Sequence, residues 1–149
     1  MLYTELGNLV IVRVECKGTW VESKAFLEFA KRKIKEGKEV IVDLSNCKML
    51  DSTFLGSLAY LALKRGKIEI FKPCKAVKRA ISTLGLGKII KEIDIPQGEG
   101  KKGIVENKLS PPEAETILLA HKSLVKAHPK NLPEFKDLIE MMEKELEKK

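Results

Sequence analysis

The residues of this sequence that are best suited to chemistry are an acid and two hydroxyl side chains that stand together, Asp51, Ser52 and Thr53. They follow the short apolar run 39–44 and come just before apolar residues that recur at helical spacing from Phe54 onward. A hydroxyl at the start of a helix can cap the first amide groups and lies at the positive end of the helix dipole. We therefore expect Ser52 at or next to an N-cap, with its hydroxyl exposed. Capping alone also explains these residues, so they assign no function by themselves.

A catalytic role for Ser52 would require a general base within hydrogen-bonding distance. The sequence has two histidines, His121 and His128, and both lie in its C-terminal part. His121 falls on the apolar side of a predicted helix, which favours a packed helix residue over a catalyst, and His128 precedes a proline in a turn. The sequence also lacks a glycine-rich phosphate-binding loop between a strand and a helix. We predict that the protein is not an enzyme.

The cysteine pattern argues against a metal site or a disulfide framework. Cys16, Cys47 and Cys74 are far apart in the sequence and form no C-x-x-C pair. This usage is typical of a reducing cytoplasm. Cys47 is interpreted as a buried structural cysteine rather than a reactive thiol. We predict that the chain binds neither a metal nor a cofactor.

The elements that must position Ser52 begin with the apolar run 39–44, which is typical of an inner strand covered on both faces. Two earlier runs, 2–6 and 9–14, are predicted as strands joined by a tight turn at 7–8. We expect these two strands to form a hairpin at one edge of the sheet.

Helix signals flank the inner strand. Thr19 and Glu22 have the spacing of a capping box, and the helix that they begin is predicted to end at Gly37. The helix that starts near Ser52 is predicted to end at Gly66. Strands and helices in this order predict an α/β fold with a mixed sheet of four to five strands and helices mainly on one face.

The rest of the chain divides into three parts. A strand at 67–71, a helix at 76–84 and a last strand at 89–95 complete a domain predicted to span 1–95. The stretch 96–112 is rich in Gly, Lys, Glu and Pro and is predicted to be a linker or surface loop.

Residues 113–149 are predicted to form a C-terminal pair of helices. Start signals stand at 110–113 and again at 131–134, where proline accompanies a capping residue. Each helix has an apolar stripe, and short amphipathic helices need tertiary burial to be stable. We expect this extension to pack on its own domain or on a second subunit in a homodimer, rather than to capture a foreign helix.

Residues 2–95 resemble the STAS family, and within it the bacterial anti-sigma factor antagonists. The sequence matches several family motifs, and they occur in the family's order. They are a second strand, the central strand with its D-S-[ST]-x-L-G loop, the next strand, the A-V-K-R-x-[IL] helix and the G-L-x-K-[IL] strand entry. In this sequence these segments are 9–14, 40–56, 67–70, 76–81 and 85–90. The resemblance implies a STAS-like sheet domain.

In that family the first serine of the loop is phosphorylated by a partner kinase that is itself the anti-sigma factor, and this serine corresponds to Ser52. The resemblance therefore implies a cytoplasmic binding module that sequesters an anti-sigma factor serine kinase and frees its sigma factor. It also implies reversal by a metal-dependent phosphatase of the PP2C type. The residues predicted to bind the partner are Asp51, Ser52, Thr53, Phe54, Leu55, Gly56 and Trp20.

Two departures from the family pattern concern aromatic residues. The loop at 18–21 has Trp20 where kinase-linked members have the pattern G-x-[LI]-D, and Phe54 stands where the family most often has glycine. Trp20 and Phe54 could form an apolar docking patch, but core positions are favoured because large aromatic side chains are mostly buried.

Charge and hydropathy restrict the partners further. The net charge is +7, and residues 1–108 carry 21 Lys and Arg against 13 acids, whereas residues 109–149 carry 7 against 8. The positive charges are scattered and lack an aromatic stacking surface, which argues against direct nucleic-acid binding. No apolar run is long enough to span a membrane, and the first residues do not look like a secretion signal.

Two alternatives stay open. STAS domains also serve as scaffolding modules of signalling or transport complexes, in which the loop is never phosphorylated. The missing acidic loop residue, Phe54 and the terminal helices also fit that alternative. The second alternative is a small ligand held between the sheet domain and the terminal helices.

Overall fold

The computed structural model describes residues 1–95, 98, 100–105 and 114–148. Within them the chain forms strands and α-helices that we number in chain order. The strands are β1 (Leu2–Leu6), β2 (Leu9–Arg13), β3 (Cys16–Gly18), β4 (Glu39–Asp43), β5 (Cys47–Leu50), β6 (Ile68–Phe71), β7 (Ile90–Glu92) and β8 (Lys101–Ile104). The helices are α1 (Trp20–Lys35), α2 (Ser52–Arg65), α3 (Lys75–Thr83), α4 (Ala114–Ala127) and α5 (Leu132–Glu147).

The main sheet has six strands in the order β7-β6-β4-β2-β1-β8. Strands β2, β4, β6 and β7 are parallel, whereas β1 runs antiparallel to both of its neighbours. The predicted inner strand is β4, which lies between β2 and β6 with its apolar residues buried. The mixed α/β architecture is therefore confirmed.

One face of this sheet carries the core. Side chains on neighbouring strands lie side by side on that face, where helices α1 and α2 cover them. Burial of this apolar surface is the main stabilising contribution to the fold. The strand residues on this face are Val10, Val12, Val40, Val42, Ile68 and Ile70.

The outer edge of the sheet differs from the prediction. The β1–β2 hairpin forms as expected, but β8 pairs with β1 and becomes the edge, so the sheet has six strands rather than four to five. Residues 101–104 therefore form a strand, and the prediction of a linker or surface loop over 96–112 is wrong for these residues. Glu5 faces Lys101 in this pairing, and Gly103 lies against the ring of Tyr3, where a Cβ atom would be 2.5 Å from the ring. Backbone pairing with an open strand edge stabilises this segment without an apolar pattern.

A second, two-stranded sheet was not predicted. Strand β3 pairs in parallel with β5, in a stretch expected to be a loop, and Gly18 lies opposite Leu50 in this pairing. The pairing brings the start of α1 next to the start of α2. The two-stranded sheet is thus the element that positions Trp20 beside Asp51.

The C-terminal helices pack within the chain. Helix α4 lies along α2, and α5 packs against α4 after the 3-10 turn Pro129–Asn131; we call α4, this turn and α5 the C-terminal hairpin. The start signal expected at 110–113 lies outside the described residues. Helix α5 begins directly after Asn131, as the start signal at 131–134 predicted, but the Asn131 side chain makes no capping bond. The buried Asn131 amide instead donates to the carbonyl oxygens of Leu84 and Leu124, each at 2.9 Å, and so ties the hairpin to the sheet domain.

In the part of the chain that the structure describes, no helix combines the length and apolar character that crossing a bilayer requires.

Candidate functional site

Asp51 joins the starts of two helices. Its backbone is extended, and its carboxylate accepts hydrogen bonds from the backbone N–H of Phe54 and of Trp20, both at 2.8 Å. Its own N–H donates to the carbonyl oxygen of Gly18 at 2.9 Å. Asp51 is thus the N-cap of α2, and it also fixes the turn into α1. These bonds place the 18–21 loop beside the start of α2.

Ser52 is the first residue of α2, and its side chain is half-buried. The Oγ atom lies 2.9 Å from Nε2 of His121 on α4. Nδ1 of the same imidazole lies 2.7 Å from the carbonyl oxygen of Ile117. A carbonyl oxygen can only accept, so Nδ1 carries the proton and Nε2 accepts the hydrogen of the Ser52 hydroxyl.

The surroundings of His121 keep its imidazole neutral. The side chain is 1% exposed, and the ring of Phe135 on α5 packs against it edge-on, with 5.0 Å between ring centroids. Burial lowers the pKa of His121; the Ile117 carbonyl and the charge of Asp51 offset this only in part. The Ser52 hydroxyl therefore meets a neutral acceptor at pH 7.

The depressed pKa of His121 makes the folded state sensitive to acid. The unfolded chain takes up a proton on this side chain below about pH 6.5, whereas the folded chain does so only at lower pH. This contribution to stability is full above about pH 6.5 and declines as the pH falls toward the folded pKa. It amounts to about 1.4 kcal/mol for each unit of pKa difference.

Urea unfolding at a series of pH values tests this expectation, with His121→Leu as the control that cannot take up the proton. The free energy of unfolding of the unaltered chain should fall more steeply between about pH 7 and pH 5 than that of the variant. Parallel curves for the two chains would contradict the assignment of a neutral, buried His121.

The contact between Ser52 and His121 could not be found from the sequence. His121 was correctly predicted to pack on the apolar side of its helix, but no local sequence pattern shows which element that helix packs against. The sequence contains one weak signal, the small residues Gly56 and Ala120. In the structure, a Cβ atom on Gly56 would lie 2.2 Å from the carbonyl oxygen of Ala120. Gly56 and Ala120 thus allow α2 and α4 to approach closely, one turn away from the contact.

A serine bonded to a histidine has the geometry of a nucleophile and its base. Acyl transfer also needs free donors for the developing oxyanion. The backbone N–H groups of Phe54 and Trp20 already bind the Asp51 carboxylate, which adds a negative charge beside the hydroxyl. The geometry therefore fits a hydroxyl held in place better than a hydrolytic nucleophile.

Several residues predicted to bind the partner lie inside the fold. Thr53, Phe54, Leu55 and Gly56 are buried, so they cannot form the exposed surface that was expected. Phe54 is 0% exposed and its ring packs on Phe26, with 5.0 Å between centroids. The core interpretation is confirmed for Phe54. It is wrong for Trp20, which is 47% exposed.

Exposed apolar side chains flank Asp51. Trp20 and Val21 lie at the start of α1, and Met49 lies on β5, two residues before Asp51. We call these three residues the apolar patch. Aromatic and methionine side chains are enriched at protein–protein contact sites.

The cysteines are free and show no metal-binding arrangement. Strand pairing places Cys16 opposite Cys47, although the sequence separates them widely. Burial raises the pKa of the Cys47 thiol, as expected for a structural residue. Among the described residues, no group of histidine, cysteine and acidic side chains could hold a metal ion.

No protein-family model matches the sequence, and no curated protein matches it. Solved structures do match. The NMR structure of the protein TM1081 is 19% identical, covers 62% of this chain and 78% of its own, and has a TM-score of 0.56. A crystal structure of the Thermotoga maritima protein tm1081, provisionally described as an anti-sigma factor antagonist, is 21% identical, covers 62% and 85%, and has a TM-score of 0.55. At this level of identity the likeness concerns the fold alone, and it confirms the predicted fold: the chain shares the mixed α/β architecture of these two structures.

Proposed function

We propose that this protein is an anti-sigma factor antagonist, and that phosphorylation of Ser52 switches its binding to an anti-sigma factor serine kinase. The observation that carries the proposal is the position of Ser52. In this fold its hydroxyl stands at the first residue of α2, directly after the capping Asp51 and next to the exposed apolar patch.

The charge that phosphorylation adds at this position suits the start of α2 but is opposed by a bound partner. The kinase transfers the terminal phosphoryl group of ATP to Oγ; the hydroxyl proton goes to a base of the kinase, and ADP leaves. The product carries about −1.5 to −2 charges at the positive end of a helix. The same charge beside the Asp51 carboxylate, in an interface from which water is excluded, repels and weakens binding.

The surface that the partner contacts is smaller than the sequence indicated. Asp51 and Ser52 provide its polar part, and the apolar patch of Trp20, Val21 and Met49 provides the anchor. The buried residues 53–56 shape this surface from beneath. The phosphate is removed by a metal-dependent phosphatase of the PP2C type, whose metal belongs to the phosphatase.

Affinity for the kinase tests the proposal, with both partners purified. Ser52→Ala should bind the kinase with the affinity of the unmodified chain and receive no phosphate. Ser52→Asp should bind at least about tenfold more weakly, because one charge is added beside Asp51. Ser45→Asp, with the same charge on a nearby exposed loop, is the matched control and should bind normally. Equal binding by Ser52→Asp and Ser52→Ala would refute the switch.

A scaffolding module is the second candidate, and the contact of Ser52 with His121 favours it. A hydroxyl that is half-buried and already hydrogen-bonded is less open to a kinase than a free one. In this alternative the same surface holds a partner permanently. Equal affinity for that partner before and after kinase treatment would distinguish the scaffold from the switch.

A further inference from the structure

The contact between Ser52 and His121 has no space for a phosphoryl group. The oxygen and nitrogen atoms are 2.9 Å apart, which is a direct hydrogen bond. While Oγ keeps its present direction toward Nε2, a phosphorus atom in the place of the hydroxyl hydrogen, with three further oxygens, would overlap the imidazole. His121 is 1% exposed and is backed by Phe135, so its ring cannot turn aside into solvent.

Phosphorylation also reverses the hydrogen bonding at this point. The hydroxyl donates to Nε2 of His121, whereas phosphate oxygens accept. Two acceptors would then face each other, because Nδ1 keeps its proton for the carbonyl oxygen of Ile117. A proton added to Nε2 would restore a bond, and the phosphate charge would favour it, but the added atoms would still lie against the imidazole.

Helix α4 cannot accommodate the group by a small adjustment. One turn beyond Ser52, Gly56 lies so close to Ala120 that even a Cβ atom would come within 2.2 Å of the Ala120 carbonyl oxygen. Surfaces packed this tightly separate rather than deform gradually. The bonds of Asn131 to Leu84 and Leu124 lie at the other end of α4 and can hold the hairpin while its first part moves.

We propose that phosphorylation of Ser52 releases α4 from α2, so that the C-terminal hairpin is a second moving part of the switch. This inference rests on the proposed function, because it concerns the same modified serine. While Ser52 is unmodified, α4 stays packed on α2 and the surface around Asp51 keeps one arrangement. The phosphorylated chain loses that arrangement in addition to gaining charge, and both changes weaken binding of the partner.

Hydrogen exchange of the full chain tests the release without any partner. Phosphoserine is placed at position 52 during translation, and exchange is followed by mass spectrometry. Amides of α4 and of the first turns of α2 should exchange at least about tenfold faster than in the unmodified chain, while those of β2 and β4 stay unchanged. Phosphoserine at position 45, on an exposed loop, is the control and should change neither helix.

A second variant connects the effect to His121. His121→Ala opens space for the phosphoryl group, so phosphoserine at position 52 should accelerate α4 exchange much less in this background than in the unaltered one. Unchanged or slower exchange of α4 with phosphoserine at position 52 would overturn the inference, as would an equal acceleration in both backgrounds. Failure of the switch would show in a different measurement, the equal binding of Ser52→Asp and Ser52→Ala.

Discussion

Replacing Phe54 with alanine is expected to lower the free energy of unfolding by about 3–5 kcal/mol. The ring is fully buried and packs on Phe26, so its removal leaves a cavity beneath the start of α2. Trp20→Ala removes a larger side chain but should cost less than about 1 kcal/mol, because that side chain is 47% exposed. Urea unfolding measures both losses of stability. Circular dichroism is the probe, because Trp20→Ala removes the single tryptophan of the sequence and with it the tryptophan fluorescence.

The order of effects should reverse for partner binding. If the proposed function holds, Trp20→Ala should weaken binding of the proposed kinase by about thirtyfold, which is typical for an aromatic anchor at the centre of an interface. Phe54→Ala should bind in proportion to its folded fraction. A Trp20→Ala variant that binds normally would show that the apolar patch is not the anchor.

Gly56→Ala is expected to destabilise the protein by about 3 kcal/mol, although alanine is the better helix former. The added Cβ atom would lie 2.2 Å from the Ala120 carbonyl oxygen, so α4 must move away from α2. Gly87→Ala is the matched control, because a Cβ atom there meets nothing within 4 Å. Its effect should stay below about 1 kcal/mol.

Two measurements check the Gly56 prediction. Urea unfolding gives the loss of stability, and hydrogen exchange should show faster opening of α4 in Gly56→Ala alone. A Gly56→Ala protein as stable as the unaltered chain would mean that the two helices do not pack in the described register.

The central strand and the helix after it were predictable because their signals are local. A short apolar run is typical of a buried strand, and the caps at Asp51, Gly66 and Thr19 follow from the residue types at helix ends. The resemblance of residues 2–95 then supplied the order of elements, which periodicity does not fix. Each of these signals lies within a few residues of the feature that it predicts.

The missed features depend on contacts between distant parts of the chain. Strand β8 has no apolar alternation and is held by the open edge of β1, so its composition indicated a loop. The contact of Ser52 with His121 joins residues that are 69 positions apart in the sequence, and it depends on how α4 packs on α2. Trp20 and Phe54 are both large aromatics, and only the packing of α1 against α2 decides which of them is buried.

The measurement that tests the central claim most directly is intact-mass spectrometry of the protein purified from its own cells, with peptide mapping of any phosphate. Cells are sampled during growth and under stress, and Ser45 on the neighbouring loop serves as the internal reference. We predict a single phosphate on Ser52 whose occupancy changes between the two conditions. A Ser52 that carries no phosphate in either condition would contradict the switch and favour the permanent scaffold.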